Sequence, residues 1–123
     1  MNVTEYTALK EELGVTASGI DSKTKKNVNW KDGTVTPINT LVHIDFSEKT
    51  PGRIYVTVEN KVYKTKLFTA HAIFTGITKP PGLRALEKYS WNGIAKTATG
   101  KKTEPDGYGY DGSPSWMLVV GII

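Results

Sequence analysis

The residues best able to do chemistry gather near the end of the chain. In GKKTEPDGYGYDGSPSW, Gly100 to Trp116, two lysines lead into aromatic rings, acids and closely spaced glycines. Between positions 91 and 116 the chain carries Trp91, Tyr108, Tyr110 and Trp116 together with Lys96, Lys101 and Lys102. Rings that stack on bases, beside lysines that attract phosphate, are the ingredients of single-strand or nucleotide binding. Ring by ring, core packing is the cheaper explanation, above all for Trp116, which leads an apolar run. As a whole, so long an irregular loop in so small a domain points to function. The expectation is a ligand-facing loop in which Asp-Gly turns hold Tyr108 and Tyr110 outward beside Lys101 and Lys102. Trp91 and Lys96 complete that set, and Trp116 is assigned to the core as the anchor.

Other chemistries find less support. ATGKKT, from Ala98 to Thr103, invites comparison with a phosphate-binding loop, which needs GxxxxGK[ST] between a strand and a helix. Here Gly93 and Gly100 are too far apart, and Lys102 stands where the hydroxyl residue is required. His43 and His71, each on a predicted strand, could share a sheet face with Asp45, yet zinc ligands are normally spaced more tightly. Asp106, Asp111 and Glu104 lack the regular spacing of a calcium loop, and turns at two Asp-Gly steps explain the acids. There is no cysteine and no GxSxG turn, so no nucleophile stands out. A carboxylate pair such as Asp45 or Glu87 with Asp106 has nothing to single it out. A non-enzymatic role is expected, with no cofactor and no metal.

Composition sets the frame. The chain has 123 residues and reads as a single domain over 1–123. Its net charge of +4 is unevenly placed: −3 over residues 1–22, +10 over 23–102 and −3 over 103–123. A basic middle favours a polyanionic partner or charge-complementary contact between copies. Of the 16 basic residues only Arg53 and Arg84 are arginine, which weakens any bidentate reading of bases or phosphates. No apolar run is long enough to span a membrane, and MNVTEYTALKEELG lacks the layout of a signal peptide, so a cytoplasmic location without a membrane partner is expected.

These residues need elements to position them. Asn2 with Glu5 predicts a capping box, Tyr6, Leu9 and Leu13 a helical face, and Gly14 its stop. Val15 to Pro37 is polar and lysine-rich, with a short hairpin of Val28, Trp30 and Val35 turning at Lys31-Asp32-Gly33. TLVHIDF alternates as a half-buried strand, and RIYVTV with KVYKTKLF reads as a hairpin around Glu59-Asn60. AHAIFTGIT is expected to extend the sheet until Pro80-Pro81-Gly82 breaks it. LRALEKY predicts a second helix stopped at Asn92-Gly93, with Leu83, Leu86 and Tyr89 toward the sheet. WMLVVGII, apolar on both faces, is expected as an interior strand.

The stretch TGKKTEPDGYGYDGSPSW, with the apolar end after it, resembles the tails of small bacteriophage-encoded accessory or virion proteins. The resemblance covers this C-terminal part alone and assigns no residue a role. It implies a small viral protein located in the host cytoplasm or the virion. The fold expected is α+β: a mainly antiparallel sheet or small β-barrel with five to seven strands and one or two short helices. Two functions stay open. One is a small binding protein for a polyanionic ligand, single-stranded nucleic acid or a phosphorylated nucleotide-like molecule, through Trp91, Lys96, Lys101, Lys102, Tyr108 and Tyr110. The other is a self-assembling structural subunit, a homo-oligomer such as a viral particle component.

Overall fold

Asn2 opens the first helix, α1 (Val3–Leu13): its side-chain oxygen accepts the Glu5 amide at 2.8 Å, and Gly14 closes the helix in the left-handed conformation with φ 80°. Tyr6 on its inner face is fully buried, and Leu9 and Leu13 are half-buried. The computed structural model describes residues 1–121. Its strands in chain order are β1 (Ile20–Lys23), β2 (Val28–Asn29), β3 (Val35–Thr36), β4 (Leu41–Phe46), β5 (Arg53–Val58) and β6 (Lys61–Lys66). A 3-10 turn (Ala70–Ala72), helix α2 (Leu83–Asn92), strands β7 (Ala95–Lys96) and β8 (Lys102–Thr103) and the short helix α3 (Trp116–Val119) follow.

The architecture is α+β and mainly antiparallel. One four-stranded sheet runs in the order β1-β4-β5-β6, and β2-β3 and β7-β8 are separate two-stranded ribbons. Among the described residues the sheet does not close into a barrel, since β1 and β6 remain edges. Alternation in β4 and β5 divides the two faces. Val42, Ile44 and Phe46 lie with Ile54 and Val56 in the larger core, completed by Leu67, Ala70, Phe74, Ile77 and Trp116. On the opposite face Tyr6 of α1 and Val15, just after it, cover Tyr55 and Val62. Each aliphatic side chain fully removed from water contributes about 1.5–3 kcal/mol, so the sheet is held by burial on both faces.

The β5–β6 hairpin turns at Glu59-Asn60 with Glu59 at φ 54°, and β2–β3 turns at Lys31-Asp32-Gly33, both as the sequence predicts. Four expectations need correction. Strand β1 lies within the polar, lysine-rich stretch from Val15 to Pro37, where the sequence predicts only the hairpin at Lys31-Asp32-Gly33. Its inward Ser22 is buried because its hydroxyl donates to the Thr75 carbonyl at 2.7 Å, so no apolar periodicity announced it. AHAIFTGIT does not form a strand: Ala70, Phe74 and Ile77 enter the core from a 3-10 turn and the irregular chain after it. The segment meets the chain at the end of β1 in a single bridge of Phe74 to Thr24, with backbone bonds from Thr75 to Lys23 and from Lys25 to Ile73.

WMLVVGII is not an interior strand over its described part. Trp116–Val119 is helical, with the Ser115 hydroxyl accepting the Met117 amide at 3.2 Å, and Leu118 to Val120 are only half-buried. Ile122 and Ile123, the last residues of that expected strand, lie outside the described residues. Helix α2 forms where LRALEKY predicts, but it packs on β7 instead of the sheet. Leu86 is its buried residue, Tyr89 is half-buried, and Leu83 is 73% exposed.

Candidate functional site

The C-terminal loop is built on a buried knot of hydroxyls and one carboxylate. Asp111 is buried, and its Oδ2 accepts the Thr99 hydroxyl at 2.6 Å. Its Oδ1 accepts the Ser113 amide at 3.0 Å and the Ser113 hydroxyl at 2.5 Å. Thr97 Oγ1 stands 2.8 Å from Ser113 Oγ, which ties the loop to the turn after β7. Burial pushes the Asp111 carboxyl up, but the hydrogen bonds from Ser113 and Thr99 outweigh it and hold the group below its ordinary range. Gly109 has to be small here: a Cβ would lie 2.8 Å from Asp111 Oδ1. The Asp-Gly turn expected at Asp111 is therefore present, with the carboxylate bonded to the backbone two residues on.

That knot fixes the β7–β8 ribbon and what it displays. The Thr97 amide donates to the Lys101 carbonyl at 2.8 Å, and the Gly100 amide, at φ 85°, donates to the Thr97 carbonyl at 2.9 Å. The turn places Lys96 directly opposite Lys102 across the ribbon, both exposed. Beside them Lys101 carries its Nζ 5.2 Å from the centre of the Tyr110 ring, a cation–π approach. Tyr110 is 84% exposed, and Trp91, on the last turn of α2, is 86% exposed. Gly93 ends α2 and Ile94 leads straight into β7, so Trp91 lies at the end of the helix that leads into the strand of Lys96. Among the described residues none of Lys96, Lys101 and Lys102 is ion-paired.

Tyr108 behaves differently from Tyr110. It is half-buried and its hydroxyl donates to the Glu48 carbonyl at 3.1 Å, so it ties the loop to the turn after β4 instead of standing outward. Burial, and then the Glu48 charge, raise its hydroxyl pKa. Trp116 is 1% exposed and donates its indole N–H to Thr78 Oγ1 at 2.8 Å, the anchoring role expected of it. The Thr97-Thr99-Asp111-Ser113 knot went unread in the sequence, because its members come from two segments with no common period. The available signal was the density of small hydroxyl residues in TATG and DGSPS.

A second cluster links α1 to the sheet. The buried Asp45 accepts the Tyr6 hydroxyl on Oδ2 at 2.6 Å, and its Oδ1 lies 3.2 Å from His43 Nε2. His43 Nε2 also meets the Ser18 carbonyl at 2.6 Å, while Nδ1 lies 2.9 Å from Asp21 Oδ1. Both ring nitrogens thus face acceptors alone, which favours the doubly protonated ring. Burial opposes that charge, but the Asp21 hydrogen bond, the Asp45 charge and the Ser18 carbonyl together raise the His43 pKa. For Tyr6, burial first, then the hydrogen bond and charge of Asp45, push the hydroxyl far above its ordinary value. The loop entering β1 closes over this cluster at Gly19, whose φ is 68° and where a Cβ would lie 2.1 Å from the Ile44 carbonyl oxygen. With both imidazole nitrogens engaged, His43 fastens β1 and the loop before it to β4, and Asp45 carries the tie on to α1 through Tyr6. His71 is not on a strand and does not join it: its 3-10 turn packs Ala70 into the core on the other face.

Among the described residues no helix is long and apolar enough to cross a membrane. Comparison with known proteins finds no matching family model, no matching curated sequence and no matching solved structure.

Proposed function

We propose that this protein is a non-catalytic binder of single-stranded nucleic acid, using the β7–β8 ribbon, the end of α2 and the C-terminal loop. The observation that carries the proposal is the pairing of Lys96 with Lys102 across the ribbon, with Tyr110 exposed against Lys101 and Trp91 exposed at the end of α2 that leads into β7. Like charges directly opposite on a ribbon repel and cost stability, and a phosphate backbone would relieve that repulsion. Bases unstacked from one another would find Tyr110 and Trp91 as platforms, with Lys101 polarised beside Tyr110. The shortage of arginine fits backbone attraction better than base-specific reading.

The test is titration of a labelled single-stranded oligonucleotide, as DNA and as RNA, beside a panel of mononucleotides. Tyr110→Ala and Trp91→Ala should each weaken oligonucleotide binding by about 1–3 kcal/mol while leaving thermal unfolding unchanged. Binding by neither nucleic acid, or by both variants as tightly as wild type, defeats the proposal.

A second function is favoured by one observation. Leu83, Trp91 and Ile94 form an exposed apolar series along α2 and its exit, which suits contact between subunits of an assembly. The virion component implied by the C-terminal resemblance would be of that kind. Light scattering without ligand separates the two: a mass that rises with concentration, and falls on Trp91→Ala, favours assembly.

A further inference from the structure

The four-stranded sheet has one edge that the chain partly covers and one that it leaves open beyond its first residues. At β1 the Thr75 amide donates to the Lys23 carbonyl at 3.0 Å and the Lys23 amide to Thr75 Oγ1 at 3.0 Å, so the chain itself covers that side at Lys23. At β6 the register fixes which groups face outward. Lys61 closes the two-residue turn opposite Val58, so Lys61, Tyr63 and Thr65 bond toward β5, and Val62, Lys64 and Lys66 point their amides and carbonyls away. Val62 confirms this, donating to the Met1 carbonyl at 2.8 Å, and the Val3 amide donates to the Asn60 carbonyl at 3.0 Å. Residues 1–3 therefore already lie on this edge as a short antiparallel addition, bridged at Asn2 and Lys61. Beyond them, no bond from outside the β5–β6 pair reaches the Lys64 or Lys66 backbone among the described residues.

A cleft of about 700 Å³ wraps the edge at this place. One wall is the Trp30–Tyr63 stack, with ring centres 4.3 Å apart, and Ile73; the other carries Met1 and Tyr55. Alternate side chains of an added strand would fall on these two walls in turn. Lys61, Lys64, Lys66 and Lys31 surround the edge, and among the described residues only Lys61 of these is ion-paired, to Asp32 at 3.7 Å. A second copy meeting β6 across a two-fold axis would set Lys64 against Lys64, which disfavours self-pairing.

We propose that the β6 edge binds an extended acidic peptide of a partner protein, added as a strand opposite Lys64 and Lys66. This site is separate from the nucleic-acid surface and stands or falls without it.

The test uses a capped peptide alternating glutamate with valine, and the same peptide with lysine for glutamate, followed by amide exchange of the full chain. The acidic peptide should slow exchange at Lys64 and Lys66 by about tenfold or more, and the basic one should not. Lys64→Pro deletes an N–H that only the added strand uses, and an edge tolerates proline. It should weaken acidic-peptide binding about tenfold, one lost hydrogen bond, with the β5–β6 amides still protected. Lys64→Glu keeps the backbone and should reverse the preference between the two peptides. Four results overturn the proposal: neither peptide binding at about 1 mM, equal binding of both, a dimer that protects Lys64 without peptide, or an oligonucleotide that protects it instead.

Discussion

Replacing Asp111 tests whether the buried knot is what shapes the C-terminal loop. Asp111→Ala would strand three donors: the Thr99 hydroxyl, the Ser113 hydroxyl and the Ser113 amide, at 2.6, 2.5 and 3.0 Å in the native protein. Hydrogen bonds to a charged acceptor are worth about 1.5–3 kcal/mol each, and a buried donor left unpaired costs about 1–3 kcal/mol. The hydroxyls can partly recover by turning to Thr97, 2.8 Å from Ser113 Oγ, so the sum is discounted to about 3–5 kcal/mol. That is a large share of the roughly 5–15 kcal/mol holding a domain of this kind.

Asp111→Asn keeps one carbonyl acceptor for Ser113 and turns an N–H₂ toward Thr99 Oγ1, which can accept. A loss of about 1–2 kcal/mol is expected there. Urea unfolding at pH 7, followed by tryptophan fluorescence of the buried Trp116, measures both. The depressed Asp111 pKa adds a pH signature. Its contribution is present above the unfolded value near 4 and is lost as pH falls through the lower folded value. The difference between wild type and Asp111→Asn should therefore shrink in acid. A loss below about 1 kcal/mol for Asp111→Ala, or equal losses for the two variants, would refute the knot as the loop's foundation.

Two further outcomes follow from named contacts. The raised His43 pKa means that its stabilising charge is complete below the unfolded value of about 6.5 and is lost as pH rises through the folded value; Tm should fall as pH rises through that window in wild type, and less in His43→Gln. Trp116→Ala should lose about 3–5 kcal/mol or unfold the protein, whereas Trp116→Phe, which keeps an aromatic ring but loses the indole N–H to Thr78, should lose less, and equal losses would deny the ring's packing any role.

Much of the local structure was legible in the sequence. Asn2, Glu5 and Gly14 bounded α1, and Glu59-Asn60 and Asp32-Gly33 turned the hairpins, because caps and turns are decided by a few residues close in sequence. What failed was decided by distant partners. Ser22 and Thr24 are buried through hydroxyl bonds to Thr75 and Pro37, so β1 carries polar residues where strand patterning expects apolar ones. WMLVVGII is a short apolar run whose periodicity cannot separate strand from helix, and the Ser115 cap decides for helix. Ala70, Phe74 and Ile77 are spaced by four and three, a helical interval that the strand-like composition of AHAIFTGIT obscured. At the site, the pairing of Lys96 with Lys102 was hidden because it depends on the Thr97–Gly100 turn. The different fates of Tyr108 and Tyr110 depend on Glu48, far away in the chain.

The most direct measurement is the salt dependence of oligonucleotide binding for wild type and for a chain with Lys96→Ala, Lys101→Ala and Lys102→Ala combined. Each phosphate neutralised on a single strand contributes about −0.7 to the slope of log affinity against log salt. If all three lysines meet phosphate, the variant's slope should be shallower than wild type's by about 2, with its unfolding transition unchanged. An unchanged slope, or a wild-type protein that binds no single-stranded nucleic acid at low salt, would contradict the proposed surface.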